Sequence, residues 1–295
     1  MVRSLEGKVA IVTGAGAGLG RAEALALAHA GAAVVVNDVT ERASDVVAEI
    51  EEFGGGAVAV HGDVSSSATA EELVSTARQR FGGLHVVVNN AGVLRDRMLF
   101  KMTDQEWDDV IRVHLRGHFL LSRNAAAYWR DQYKETGTTS GSLINTASEA
   151  FLLGAAAQPN YAAAKAGVAA LTVSTARALA RIGVRANAIC PRARTAMTEE
   201  VFGPAPEEGV DPLSTDHVAP LVAYLASPAA ERISGQVFVV HSGMVALMSA
   251  PTVEQRFDTS GPLWTQDELA GTLGAYFADR DPERTFAAAE LISLP

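Results

Sequence analysis

The sequence predicts a doubly wound α/β fold, a parallel sheet with helices on both faces, and three observations carry that expectation. Short β-branched runs recur along the chain, longer segments with helical spacing of apolar residues separate them, and a glycine-rich turn joins the first run directly to the first such segment. Strand and helix alternating in this way build right-handed βαβ units around a parallel sheet.

Taken in order, the runs Val9 to Val12, Ala33 to Val36, Ala57 to Val60, Leu84 to Val88, Leu143 to Ile144, Val184 to Ile189 and Val237 to Val240 predict seven buried strands. Between them Leu19 to Ala30, Ala68 to Arg80, Asp104 to Tyr133 and Tyr161 to Arg181 predict helices. No internal repeat or low-complexity linker interrupts the series. A polar loop is expected at Thr136 to Gly141. After Gly243 the pattern is broken by Pro251, Gly261 and Pro262, so residues 1–243 read as one domain and residues 244–295 as an extension packing on it. In that extension Trp264, Leu269, Leu273, Tyr276 and Phe277 fall at near-helical spacing, which fits a cover for the substrate mouth, a subunit contact or plain helix packing.

Composition narrows the function classes. Hydrophobic residues at 48% and charged residues at 20% exclude a disordered or fibrous chain. A net charge of -10, with only interrupted basic stretches at Arg123 to Arg130 and Arg177 to Arg185, argues against a nucleic-acid partner. The single cysteine, Cys190, excludes an intrachain disulfide and lies in a strand-like run, as a buried structural thiol would, so a reducing, cytoplasmic setting is expected. Met1 to Lys8 has no apolar core, and Val9 to Thr13 is too short to span a bilayer, so neither a leader nor a membrane partner is expected.

The first strand runs into Gly14, Ala15, Gly16, Ala17, Gly18, Leu19 and Gly20 and then into a helix. Glycine lets the backbone approach a pyrophosphate, and the free N–H groups and dipole of the helix favour its charge, the Rossmann-like arrangement for a dinucleotide. Asp38 ends the second strand, eighteen residues beyond Gly20, where a carboxylate accepts from ribose hydroxyls and repels a 2′-phosphate; it is equally placed to cap the helix around Glu41 to Phe53, although Thr40 can serve there instead. With no basic residue in the loop and Arg42 a turn into the next helix, NAD is expected over NADP.

Tyr161 and Lys165, four residues apart at a helix start, share one face. A free phenol titrates near ~10, but a neighbouring ammonium stabilises the phenolate, so the pair can exchange a proton. Ser148, thirteen residues before Tyr161 and just beyond the strand Leu143 to Thr146, can hold a substrate oxygen.

These residues resemble the short-chain dehydrogenase/reductase family. Thr13, Gly14, Gly18 and Gly20 match its Thr-Gly-x-x-x-Gly-x-Gly pattern, Asp63 and Val64 its adenine-contacting pair, Asn89, Asn90, Ala91 and Gly92 its Asn-Asn-Ala-Gly stretch, and Ser148, Tyr161 and Lys165 its catalytic set, over residues 7 to about 243. The resemblance implies Tyr161 as general acid or base, Lys165 lowering its pKa and binding the nicotinamide ribose, Ser148 orienting the carbonyl, and direct hydride transfer with no metal. It adds Asn90, Gly92, Pro191 and Thr195 to the cofactor contacts and suggests a homodimer or homotetramer. Stretches such as Val34 to Asp38, Asn90 to Arg97 and His217 to Leu221 are similar to the (3R)-hydroxyacyl-CoA dehydrogenase, or 17β-hydroxysteroid dehydrogenase type, branch, which implies a 3-hydroxyacyl-CoA or steroid-like lipid substrate.

Two departures stand out. His114 replaces an asparagine that in the family supports a water-mediated proton relay, and it fits either a hydrogen-bonding role or a core histidine. After Pro191 the chain reads Arg192, Ala193, Arg194, Thr195, so Thr195 is a shifted equivalent of the family's threonine, and the two arginines are either surface charges or groups facing a substrate phosphate or carboxylate. The alternative enzyme is an NADP-linked 3-oxoacyl thioester (acyl-carrier-protein) reductase, against which Asp38 argues. A non-catalytic nucleotide sensor or scaffold would have no use for Ser148, Tyr161 and Lys165.

Overall fold

A computed structural model, describing residues 3–281, 284–288 and 290–291, contains the strands β1 (Val9–Thr13), β2 (Ala33–Asp38), β3 (Ala57–His61), β4 (Val86–Asn89), β5 (Gly141–Thr146), β6 (Val184–Pro191), β7 (Val237–His241) and β8 (Met244–Leu247). They form one sheet in the order β3-β2-β1-β4-β5-β6-β7-β8. Seven strands are parallel, as the alternation predicts, and every residue of β1, β4 and β5 is buried, which is why they read as unbroken apolar runs. Strand order reverses between β1 and β4, so a crevice opens at their carboxyl ends.

The eighth strand departs from the expected seven. His241 pairs with Met244 across a two-residue turn, and β8 runs antiparallel to β7. Ser242 and Gly243 both have positive φ, 49° and 77°, the combination that matches a hairpin turn to strand twist. The chain divides into a unit that ends at Met248 and a second that begins at Ser249, so the first runs past the boundary at Gly243 because β8 belongs to the sheet.

The helices are α1 (Gly18–His29), α2 (Arg42–Glu52), α3 (Ser67–Phe81), α4 (Asp104–Ile111), α5 (Gly117–Thr136), α6 (Ala150–Leu153), α7 (Pro159–Leu179), α8 (Glu199–Phe202), α9 (Ala219–Ala226) and α10 (Gln266–Ala278). Leu27 of α1, Ile50 of α2 and Val222 of α9 pack with Val12, Ile144 and Val240 on one face of the sheet. Leu73 of α3, Trp129 of α5 and Ala176 of α7 pack with Ile11, Val87 and Leu143 on the other. The segment expected as one helix from Asp104 is two, joined by a π-helical turn at Arg112–Arg116; such a turn holds one extra residue and swings its side chains out of α-helical register.

In the second unit, α10 starts with a reciprocal capping box between Thr265 and Glu268. Glu254 accepts from the Arg280 guanidinium, and Arg280 lies over the Tyr276 and Phe277 rings. Among the described residues no helix is long and apolar enough to cross a membrane, and no cluster of His, Cys, Asp and Glu could hold a metal ion.

Candidate active site

The carboxyl ends of β1 and β4 are tied together before any side chain of chemical interest is added. The Thr13 hydroxyl accepts from the backbone N–H groups of Asn90 (3.0 Å) and Ala91 (3.2 Å), and the Asn90 amide donates to the carbonyls of Thr13 (3.1 Å) and Gly14 (3.2 Å). Asn90 thus braces the glycine turn. A Cβ on Gly20 would collide with the Gly14 carbonyl and the Asn90 amide, so only glycine lets α1 begin this close to the turn. Ala17, the N-cap of α1, offers no side-chain acceptor, which leaves the first-turn N–H groups of a twelve-residue helix for an anion. Leu19 packs against the core beneath them, and Thr195 sits across Gly18, its Cγ2 3.2 Å from where a Cβ would be. These features fit the pyrophosphate of a dinucleotide.

Asp38 stands at the end of β2, half-buried. Its Oδ2 accepts from the N–H of Gly16 (3.1 Å), and its Oδ1 accepts from the N–H and hydroxyl of Thr40 (both 2.9 Å). The helix that follows is capped by neither residue: the N-cap of α2 is Glu41, which makes no side-chain cap bond. The carboxylate instead pins the glycine turn to the β2 end, with lone pairs left over for a ribose diol. Asp63 accepts from the N–H of Ser65 (2.8 Å) and from Arg112 (2.5 Å). Partial burial works against its charge, but those hydrogen bonds and the guanidinium hold its carboxyl below the usual range. Val64 is buried against Gly117.

Ser148, Tyr161 and Lys165 converge at the end of β5. Lys165 is 1% exposed and its ammonium donates to the Thr146 carbonyl at 2.5 Å, 5.4 Å from the Tyr161 ring centre. Burial pushes the Tyr161 phenol up to about 12, with the neighbouring Ser148 hydroxyl pulling the other way. Burial pushes Lys165 down to about 7, opposed by its electrostatic coupling to Cys190 and Glu23. Desolvation therefore favours the neutral form of both members of the pair.

The π turn explains His114. It swings the ring edge-on to Tyr161, centroids 5.1 Å apart, and against Gly92, where any Cβ would overlap the imidazole. Nε2 lies 3.0 Å from the Val93 nitrogen and 2.8 Å from its oxygen, while Nδ1 has no partner. Burial holds His114 well below the usual histidine range, and pushes His118, one helical turn on, down to about 3. Both rings are neutral near pH 7.

The arginines after Pro191 are both held in ion pairs within the protein. Arg192 forms a two-point ion pair with the buried Glu149 (2.5 and 2.8 Å), and Arg194 binds Asp211 (2.9 Å) and the carbonyls of Phe202 and Gly203. Both clamp the segment that carries Thr195. Cys190 is buried, and burial lifts its thiol to about 12, which makes it inert. Glu23 and His118 are the polar groups near this site that motif reading passes over; Glu23 sits three residues after Gly20 and one before Ala24, on the buried stripe of α1.

The sequence profile of the short chain dehydrogenase family matches residues 8–204. The chain belongs to this family. Hydroxyacyl-CoA dehydrogenase ChsB1 of Mycobacterium tuberculosis is 61% identical over 299 residues, spanning 98% of this chain and 94% of its own. The peroxisomal multifunctional enzyme type 2 of Mus musculus is 41% identical over 81% of this chain, a match confined to 32% of that larger enzyme. The crystal structure of a short chain dehydrogenase from Mycobacterium avium superposes with a TM-score of 0.87 at 43% identity, covering 95% of this chain and 97% of that one. As a family member the chain is an oxidoreductase acting on CH–OH groups, and its own sheet is eight-stranded and mostly parallel.

Proposed function

We propose that this short-chain dehydrogenase oxidises the hydroxyl of a 3-hydroxyacyl-CoA thioester with NAD. The observation that carries the reading is the convergence of Ser148, Tyr161 and Lys165 at the end of β5 in a chain 61% identical, over nearly its whole length, to a hydroxyacyl-CoA dehydrogenase.

A bound nicotinamide would supply the hydride acceptor, and its positive ring would favour the Tyr161 phenolate. The glycine turn and the first N–H groups of α1 hold the pyrophosphate, and Asp38 accepts from the adenosine ribose. Tyr161 Oη takes the proton of the substrate hydroxyl. Ser148 Oγ donates to the substrate oxygen and holds it within reach of the phenol. Lys165, charged, stabilises the phenolate that the base form requires, by opposite charge in a low-dielectric interior. Asp63, Val64, Gly92, Pro191 and Thr195 complete the walls of the cofactor cleft.

The test is a screen with both NAD and NADP against 3-hydroxyacyl-CoA thioesters, 3-hydroxyacyl groups on acyl carrier protein, and steroid alcohols, followed by absorbance of the reduced nicotinamide. CoA thioesters with NAD should give the highest kcat/KM. A preference for carrier-protein thioesters with NADP, or no turnover of any CoA thioester, would overturn the reading.

A further inference from the structure

Glu149 is a buried charge next in the chain to the serine that is to hold the substrate oxygen. Its side chain is 9% exposed, and the Arg192 guanidinium takes both carboxylate oxygens, Nε donating to Oε2 at 2.5 Å and Nη2 to Oε1 at 2.8 Å. Withdrawing such a pair from water is costly, and apolar side chains of similar volume are often as stable in its place. What a two-point pair contributes is geometry, because two bonds from one fork fix the partners in both distance and plane.

That geometry bears on the turn that aims the serine. Ser148 Oγ accepts from the Ala150 N–H at 3.2 Å, which leaves the hydroxyl proton to donate to a substrate oxygen. The direction of the hydroxyl therefore follows the Ser148–Ala150 turn, and Glu149 is its middle residue. On the strand side, the Ala147 N–H donates to the Ile189 carbonyl of β6 at 2.7 Å. On the helix side, the Glu149 carbonyl accepts from the N–H groups of Leu152 (2.8 Å) and Leu153 (2.9 Å), so α6 hangs from this residue.

The other end of the ion pair has its own anchor. Arg192 follows Pro191, the last residue of β6, and its N–H donates to the Val240 carbonyl of β7 at 3.1 Å. The guanidinium thus reaches Glu149 from backbone that is joined to the sheet. We propose that Glu149 and Arg192 are positioning residues for Ser148: their ion pair braces the Ser148–Ala150 turn against the carboxyl end of β6 and so sets where the hydroxyl meets the substrate oxygen. The proposal rests on the role given to Ser148 above. No bond forms or breaks at either side chain of the pair.

Glu149→Gln removes the charge and keeps the shape, while Arg192→Lys keeps the charge and loses the fork. With saturating NAD and the substrate that the screen above turns over fastest, each should lower kcat about tenfold, since a misplacement near 1 Å costs up to about 100-fold. The dissociation constant of NAD should move by less than about threefold. A double-mutant cycle with Ser148→Ala separates aiming from general loosening: without the hydroxyl the pair has nothing to aim, so adding Glu149→Gln should change the rate less than about twofold. Even a ~10⁴-fold loss from a kcat of ~10 per second leaves a single turnover within minutes, readable by absorbance of the reduced nicotinamide. An unchanged kcat in both single variants, the same loss with and without the serine, or a loss of NAD affinity that matches the loss of kcat would overturn the proposal. Should Glu149→Gln not fold, Arg192→Lys carries the same cycle. A Ser148→Ala enzyme as fast as wild type refutes the role of Ser148 itself, whereas a slow one in which Glu149→Gln still costs tenfold refutes only the part given to the pair.

Discussion

Replacing Asp38 with alanine tests the cofactor reading most directly, and its size can be worked from the contacts. The carboxylate accepts three hydrogen bonds within the protein, from Gly16 and twice from Thr40. In the NAD complex it is to accept from a ribose hydroxyl as well, a charge-assisted bond worth about 1.5–3 kcal/mol, so NAD binding should weaken by about 10- to 100-fold. The effect on NADP has the opposite sign. Two unit charges ~4 Å apart repel by about 1 kcal/mol in water and ~4 kcal/mol at an effective dielectric of 20. For a half-buried Asp38 an intermediate ~2 kcal/mol gives NADP about a 30-fold gain. The ratio of dissociation constants, from quenching of protein fluorescence by each nucleotide, should therefore shift by about 300- to 3000-fold. Asp38→Asn is the control: its Oδ1 still accepts from Thr40, but its amide cannot accept from Gly16, so it should fall between wild type and alanine. An unchanged NAD to NADP ratio in Asp38→Ala would refute the ribose assignment, and an equal loss for both nucleotides would reduce Asp38 to a brace for the glycine turn.

Tyr161→Phe should retain NAD binding within about threefold while turnover falls by at least ~100-fold, the lower range for a lost general acid or base; comparable turnover in a steady-state assay would remove the phenol from the mechanism. Arg192→Ala leaves Glu149 buried without its two-point partner, which should cost about 3–5 kcal/mol. The melting temperature should drop and should recover in part when Glu149→Ala is added. A substrate-facing Arg192 would instead raise KM with stability intact.

Much of this site was legible because its determinants are short-range. Val9 to Gly20 states a buried strand, a tight turn and a helix start within one stretch, and Tyr161 and Lys165 share a face through helix period alone, so both could be read without knowing the fold. The seven parallel strands followed from apolar runs, since a strand covered on both faces has no polar side to disguise it. β8 escaped because it is an edge strand whose alternate residues are exposed, and the hairpin that makes it depends on two residues, Ser242 and Gly243, taking positive φ together.

What only the tertiary structure decided are the pairings between distant segments. Arg192 and Glu149, or Arg194 and Asp211, are unremarkable charges along the chain, and only the packing joins them into clamps on the segment that carries Thr195. Spacing alone cannot show the π turn that carries His114 onto Gly92 and Tyr161, because the extra residue leaves the surrounding apolar pattern helical. Glu23 marks the limit most clearly. The helix period places it on the buried stripe of α1, but only the folded interior shows that both its carboxyl oxygens lie there without a hydrogen-bond partner. Sequence set which residues could carry charge, and desolvation in the folded interior determined which of them hold it.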